Sequence, residues 1–533
     1  MSAKEVLKEV FGYDNFRVGQ EKLVEAVCSG RDVLGIMPTG AGKSICFQVP
    51  ALMSEGITLV VSPLISLMRD QVAALNAAGI HAAYLNSSLT PGQYAKAIAL
   101  AKTGRYKLIY VAPERLDTER FLDFALDENV NIPFIAVDEA HCVSQWGQDF
   151  RPSYLKIADF VRKLPKRPIV GAYTATATSQ VKEDIQKLLE LDDPVSVTTG
   201  FDRDNLYFAV KKPRDKYMAL KYYLQDKEDA MSGSSGIIYC LTRKNVNEVA
   251  ERLENDGFSV TRYHAGLDEE ERHANQEAFI SGNKQLMVAT NAFGMGIDKS
   301  DVRFVVHYNM PKDMESYYQE AGRAGRDGDM AECILLYGKN DVRLNDFLIE
   351  HSSDDNEGLS DDEKAVIKAR DKERLKKMTF YCHTKYCLRS YILNYFGEKG
   401  PANCGNCSVC LREKDTDREM ILDIPDNVGA DLAERPAMIA SEYKISRSRK
   451  RSASESLEAG DRRIFDALRE LRTTIAKESR VHPYIIFSDR TLAYMAVSRP
   501  QSKEEMLKVS GVGQFKYEKY GERFLQAIKE CSY

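Results

Sequence analysis

Asp32-Val-Leu-Gly-Ile-Met-Pro-Thr-Gly-Ala-Gly-Lys-Ser44 is the stretch whose reading decides the fold. A short apolar run breaks into a glycine-rich turn, and an apolar helical segment, Ile45-Cys-Phe-Gln-Val-Pro-Ala-Leu52, follows. A strand that feeds a helix through such a turn is the unit of a parallel sheet covered by helices on both faces. Gly40 and Gly42 let the backbone wrap closely around phosphate groups, whose charge the helix amino terminus favours. Lys43 would then reach the β- and γ-phosphates of a nucleotide and Ser44 would hold Mg²⁺, with Thr39 in the same turn. Met37 stands where the usual pattern has its first glycine. Taken alone, the segment could still be an ordinary glycine-rich turn.

The same rhythm extends outward. Ile57–Pro63, Tyr106–Pro113, Phe134–Ala140 and Pro168–Thr176 are short, rich in β-branched residues and closed by small or turn-forming residues. A second series comprises Gly236–Thr242, Phe258–Ala265, Gln285–Ala292, Val302–Asn309 and Glu332–Gly338. The fold class is therefore α/β, with two tandem parallel-sheet lobes over residues 1–203 and 204–340. A helical, cysteine-bearing module over 341–412 follows. Residues 413–456 are charged, poor in periodic apolar residues and read as a linker, and a small all-α terminal domain occupies 457–533. A chain of 533 residues is too long for one core.

Composition narrows the class. Apolar residues at 44% and charged residues at 29% suit a soluble globular protein, and no apolar run is long enough for a bilayer. The amino terminus has no signal-peptide core, so the expected location is cytoplasmic, nucleoid-associated in a bacterium or nuclear in a eukaryote. A net charge of −5 does not advertise nucleic-acid binding, although a large protein can carry a local basic stripe.

Phe134-Ile-Ala-Val137 is an apolar strand ending in Asp138-Glu139-Ala140-His141. Phosphoryl transfer needs a metal ion, a positioned water and charge stabilisation rather than covalent help. Asp138 can hold Mg²⁺ through water, and Glu139 can polarise the attacking water. Arg323 and Arg326 follow a helical stretch of the second lobe. An arginine reaching the γ-phosphate across a cleft would couple nucleotide state to lobe closure. Arg326 is the candidate finger, and Arg323 a sensor or DNA-coupling neighbour beside it.

The only tryptophan, Trp146, lies in Ser144-Gln-Trp-Gly-Gln-Asp-Phe-Arg-Pro-Ser-Tyr154, where Trp146, Phe150 and Tyr154 interleave with Arg151. Gly147 and Pro152 argue against a regular helix. Aromatic faces beside a cation can stack unpaired bases, at about 1–3 kcal/mol per base. A core-packing loop is the plainer alternative.

Of the eleven cysteines, Cys28, Cys46, Cys142, Cys240, Cys333 and Cys531 are scattered and read as small buried hydrophobes. Cys404, Cys407 and Cys410 are each two residues apart and can supply three ligands to a tetrahedral zinc ion. Cys387, Cys382 and His383 are candidates for the fourth, and spacing alone also admits an iron–sulfur cluster.

Lys43/Ser44 with the Asp138–His141 box resembles superfamily 2 helicases, whose pattern tolerates a non-glycine at the Met37 position. Ser62–Asp70, Thr174–Thr178, Ala289–Asp298 and Gln319–Arg326 fit in the same order across both lobes. The Ser144–Tyr154 loop is similar to the aromatic-rich loop of RecQ helicases, which links DNA binding to ATP hydrolysis. Gln148 and Ser153 depart from the common form of that loop. Phe11-Gly-Tyr-Asp-Asn-Phe-Arg-Val-Gly-Gln20 resembles the RecQ nucleotide box, which implies that Tyr13 stacks on adenine while Arg17 and Gln20 hydrogen-bond it. Cys387–Glu398 resembles the helix before the RecQ zinc knuckle, which favours Cys387 as fourth ligand and zinc over iron. Ser479–Leu492 and Ser510–Tyr517 resemble the helicase-and-RNase-D carboxyl-terminal module. There Gly511 and Gly513 could bring amides near phosphates, with Lys516 and Lys519 adding charge.

The resemblance implies two RecA-like lobes, ATP, Mg²⁺ and Zn²⁺ as cofactors, and a 3′→5′ DNA helicase of repair and recombination. Single-stranded and partially duplex DNA are the implied partners, with single-strand-binding or recombination proteins beside them and a monomeric state. Residues 413–456 are too few and too polar for the winged-helix domain that RecQ enzymes usually carry there. An RNA helicase and a nucleotide-switched strand-annealing scaffold are the competing readings.

Overall fold

The computed structural model of the chain describes residues 1–147, 149–230, 234–293, 299, 301–352, 361–412, 459–479 and 481–531. In lobe 1 the strands are β1 (Val33–Ile36), β2 (Thr58–Val61), β3 (Ala82–Leu85), β4 (Leu108–Val111), β5 (Phe134–Val137), β6 (Ile169–Thr174) and β7 (Val195–Thr198). In lobe 2 they are β8 (Leu206–Lys211), β9 (Ser235–Tyr239), β10 (Val260–Tyr263), β11 (Leu286–Ala289), β12 (Val302–His307) and β13 (Ala331–Leu336). The strand orders are β3-β4-β2-β5-β6-β1-β7 and β10-β11-β9-β12-β13-β8. Every pairing between named strands is parallel.

This order places the chemistry. β5, β6 and β1 are neighbours in register, with Val137 beside Ala172 and Ile36 beside Thr174. The turns leaving their carboxyl ends therefore meet at one edge: the acidic box after β5, Thr174–Thr178 after β6 and the glycine loop after β1. Open parallel sheets bind ligands at that edge because the strand ends and helix amino termini converge there. In β1, β2, β4 and β5 every residue is buried, the pattern of a sheet covered on both faces.

Residues Asp361–His383, Leu388–Tyr395 and Ser408–Arg412 form helices packed on lobe 2. Arg389 fixes this module to the interlobe segment: its guanidinium pairs with Asp202 at 2.6 Å and donates to the carbonyls of Arg203 and Leu206 at 2.6 Å. The terminal helices, chiefly Ala459–Ser479, Asp489–Ser498 and Glu522–Cys531, enclose a separate core around Leu468, Ile486, Met495 and Phe524. Residues 413–456, and with them the expected linker and missing winged helix, lie outside the described residues. So do Gln148 and the whole of Gly294–Asp298. Among the described residues no helix is long and apolar enough to cross a membrane.

The terminal domain sits against both lobes. The Gly511 N–H donates to the Gly12 carbonyl at 2.9 Å, and Arg490 donates to the Asp327 carbonyl at 3.2 Å. His482 lies between Asp70 of lobe 1, at 3.4 Å, and Glu277 of lobe 2, at 3.1 Å. Burial opposes charge on His482, but the Asp70 and Glu277 carboxylates outweigh it and raise its pKa to about 9. A histidine free of the interface titrates near ~6.5. The ion pairs therefore favour docking fully below that value and cease to do so as pH rises through about 9. Protease sensitivity of the junction should rise between these limits in the wild type, and His482→Ala should be sensitive throughout.

Candidate functional site

The glycine loop closes on itself because two positions need left-handed backbone: Gly40 and Gly42 both have φ of +83°. Gln20, buried, donates to the Ala41 and Gly42 carbonyls at 3.1 and 2.9 Å and accepts from the Arg17 N–H at 2.8 Å. The Arg17 guanidinium donates to the Gly40 carbonyl. Both residues of the amino-terminal box thus brace the loop's backbone in this conformation, whereas the resemblance assigns them to a base. Tyr13 is exposed beside them.

Lys43 Nζ points at Glu139 across 3.6 Å. Burial, and then the adjacent Glu139 charge, push the Asp138 acid up to about 6. Burial works against charge on Glu139 as well, but Lys43, His141 and Arg323 override it and hold that carboxylate well below the usual range. The two acids are thus driven apart, Asp138 releasing its proton at a higher pH than a free carboxyl and Glu139 held firmly ionised, an arrangement typical of functional carboxylates. Glu139 also carries a left-handed backbone, φ +47°, uncommon for a non-glycine residue and a form of strain concentrated at active sites.

Lobe 2 closes the site from the other side. Arg326 packs its aliphatic stem against Gly40, where a Cβ would lie 3.5 Å from Arg326 Cγ. Arg323 is buried deeper, and burial followed by the Arg326 charge lowers its pKa to about 10. Thr39 Oγ1 donates to the Gly322 carbonyl at 3.1 Å. Lys43, Asp138, Glu139, Arg323 and Arg326 therefore line one interlobe cleft, with Ser44 at the amino end of the helix Ile45–Met53.

Further contacts escaped the sequence reading. Arg203 donates to the Thr39 carbonyl of lobe 1 at 3.1 Å and to the Ala324 and Gly325 carbonyls of lobe 2 at 3.1 and 2.8 Å. Gln319 donates to Thr176 Oγ1 at 3.3 Å, and Thr174 Oγ1 lies 2.9 Å from His141 Nδ1. Arg374, from the helical module, donates to the Gly147 carbonyl at 3.3 Å and to the Trp146 carbonyl. No motif flags Arg203 or Arg374, since each works through backbone carbonyls far away in sequence.

The aromatic loop divides. Trp146 is 45% exposed and Phe150 is partly buried. Tyr154, read from sequence as part of a stacking surface, is instead fully buried and donates from its hydroxyl to the Asp138 carbonyl at 2.9 Å. Arg151 pairs with Asp149 at 3.0 Å and donates to the Pro63 carbonyl at 3.0 Å. In the terminal domain the Gly511 amide is donated to lobe 1, while Lys516 is partly buried beside Phe487.

The metal candidates converge. The sulfur atoms of Cys387, Cys404, Cys407 and Cys410 all lie within 4.8 Å of one another, and those of Cys404 and Cys410 are 4.0 Å apart. A tetrahedron of Zn–S bonds of 2.3 Å has edges of about 3.8 Å, so the cluster fits that ion with little contraction. Cys382 is buried elsewhere, and His383 stands against Lys212 and the Tyr337 ring, which removes both alternatives. Of the scattered cysteines, Cys28 is exposed and Cys531 partly so, against the expectation of burial.

Family models for DEAD/DEAH box helicase, helicase conserved C-terminal domain, RecQ zinc-binding and HRDC domain match residues 17–185, 215–328, 339–411 and 461–528. The chain is 39% identical to ATP-dependent DNA helicase RecQ of Bacillus subtilis, over 99% of this chain and 98% of that one. The chain belongs to the RecQ family of ATP-dependent DNA helicases. The RecQ helicase of Pasteurella multocida is 37% identical over 99% of this chain and 94% of its own. Among solved structures, Mycobacterium smegmatis helicase Lhr bound to ssDNA and AMP-PNP superposes with a TM-score of 0.51 at 18% identity, covering 69% of this chain and 56% of that one. That likeness shows the fold of the lobes. As a RecQ-family enzyme the chain uses both lobes as an ATP-dependent helicase engine, and the Cys₄ cluster is its zinc-binding site.

Metal analysis of the purified protein should return about one zinc per chain and no iron. Cys407→Ala should lose the metal and, because structural zinc sites hold their fold directly, give a visibly less stable chain by thermal melting.

Proposed function

We propose that the protein is a 3′→5′ helicase that translocates on single-stranded DNA, with its nucleotide cycle run by the cleft between Lys43–Glu139 and Arg323–Arg326. The observation that carries this reading is the closeness of Arg326 to Gly40 across the lobe boundary. In this cleft Thr39, Gly40, Gly42, Lys43 and Ser44 would cradle the triphosphate, and Tyr13 would cover the base. Mg²⁺, when bound near Ser44 and Asp138, supplies charge neutralisation of the phosphates. Glu139, ionised and flanked by Lys43, orients and polarises the attacking water. Arg326 offsets negative charge that develops as the terminal phosphate departs, and Arg323 registers its loss. Release of that phosphate loosens the Arg326–Gly40 apposition and lets the lobes part. Alternation of the two states advances the grip on the strand, which Trp146, Phe150 and Arg151 meet. Repair and recombination intermediates with single-stranded tails are the matching DNA, and single-strand-binding proteins are fitting partners.

Two substitutions test the assignment. Lys43→Ala should abolish DNA-stimulated ATP turnover while largely sparing affinity for an oligonucleotide. Arg326→Ala should lower turnover by about 10³–10⁵, read by phosphate release at saturating ATP and single-stranded DNA. Retained turnover in the Arg326 variant would remove the arginine from the mechanism. Unwinding of a 3′-tailed but not a 5′-tailed duplex reads the polarity.

A further inference from the structure

A histidine–carboxylate pair lies buried in lobe 2, just ahead of the turn that bears Arg323 and Arg326. His307 is the last residue of β12 and is fully buried, and Glu320 sits near the end of the buried helix Met314–Ala321. Their side chains meet at 2.9 Å, His307 Nε2 to Glu320 Oε2. Burying two ionisable groups costs desolvation, and an apolar pair of the same volume commonly holds a fold as well or better. Stability alone is therefore a poor reason for this pair to stand here.

The imidazole is clamped between two rings. Tyr239, its register partner on β9, stacks on it with centroids 5.6 Å apart and planes 23° apart. Tyr317 lies 4.9 Å away on the helix side. His307 Nδ1 is buried with no hydrogen-bond partner among the described residues. A proton on Nδ1 would be an unsatisfied buried donor, so the proton belongs on Nε2, where it is donated to the Glu320 carboxylate.

The carboxylate in turn faces the arginine turn. The Glu320 carbonyl accepts from the Arg323 N–H at 3.1 Å, which keeps the two residues on one tight stretch. The Tyr239 hydroxyl is hydrogen-bonded with the Arg323 side chain, and Glu320 on the near side and Glu139 across the cleft both act on that guanidinium. Two carboxylates thus compete for one arginine. A Glu320 free to rotate could take the guanidinium in a bidentate pair and draw it back from the cleft. His307, by engaging Oε2, restrains that rotation.

We propose that His307 is a positioning residue for ATP hydrolysis: it fixes the Glu320 carboxylate and so keeps the Arg323 guanidinium turned toward the cleft. The inference rests on the place of Arg323 in the nucleotide cycle given above. His307 is itself enclosed, so it acts through the arginine and not on the phosphates.

Phosphate release by the full chain, at saturating oligothymidine and varied ATP, reads the effect. His307→Leu keeps an apolar side chain in the ring's place and removes the donor. Its kcat should fall about ten-fold, with KM for ATP and affinity for labelled oligothymidine largely unchanged. His307→Gln, whose amide can donate to the same oxygen, should recover most of that loss. In an Arg323→Ala background His307→Leu should cost nothing further, because the group it positions is gone. A merely structural histidine would instead lower turnover equally in both backgrounds, and that additivity would overturn the proposal. Wild-type kcat in His307→Leu would overturn it as well. Should His307→Leu melt below the assay temperature, Glu320→Gln takes its place, since it keeps the shape and the imidazole bond but removes the charge. It too should lower kcat in the wild-type background and be silent beside Arg323→Ala, and additive loss is again the contrary result. If Arg323→Ala alone leaves turnover intact, the reading of that arginine falls. If Arg323→Ala is costly and the losses add, only this inference does.

Discussion

Arg203 holds together the parts on which the rest depends. Its guanidinium has five donors in a rigid plane, and three backbone carbonyls from two lobes receive them: Thr39 in the glycine loop, and Ala324 and Gly325 in the turn bearing Arg326. Among the described residues no side-chain acid competes for that charge at bonding distance, and burial pulls its basicity down. The guanidinium is thus an exchangeable fastener between the glycine loop and the turn bearing Arg326. A neutral hydrogen bond contributes roughly 1 kcal/mol net, and one from a charged donor up to about 3. Such contacts can be broken and remade within a catalytic cycle, which a large apolar seam at the same place would resist.

The helical zinc module reaches this fastener indirectly. Cys387 stands immediately before the helix that carries Arg389, and Arg389 holds the Arg203 carbonyl and the start of β8. Glu398 at the end of the same segment accepts from the Phe201 N–H at 2.9 Å. The helix that follows Cys387 therefore fixes the interlobe segment from one side while Arg203 spans the cleft on the other. This explains why a cysteine cluster far from any phosphate belongs to the motor's geometry rather than forming an appendage.

Much of this was legible in the residues, and the exceptions share a cause. Strands buried on both faces, such as β1, β2, β4 and β5, announce themselves as apolar runs, and the glycine and acidic motifs sit at their ends. β3 and β7 lack that apolar run because these edge strands are little buried: β7 has no buried residue and β3 only two. Tyr154 was misassigned because an aromatic in a glycine- and proline-interrupted loop has no period to reveal its direction; only the fold shows it pointing under Asp138. Arg203, Arg374 and His482 gave no signal because their partners are carbonyls or carboxylates hundreds of residues away in some cases, and a single sequence carries no record of such pairs.

The buried Tyr154 changes how the aromatic loop can work. A loop that displays several aromatics loosely could bind bases without informing the ATP site. This one is pinned: Ser144 donates to Asp184 at 2.5 Å, Arg374 holds the carbonyls of Trp146 and Gly147, Arg151 reaches Pro63, and Tyr154 bonds the Asp138 carbonyl. Trp146 is the exposed crest between fixed ends. A load on the crest has little slack to absorb it, so displacement passes to the anchors, and one anchor is the backbone of the acid that lies beside Glu139. The phenol–carbonyl bond thus makes the link between the exposed crest and the acidic box a matter of a single rigid side chain.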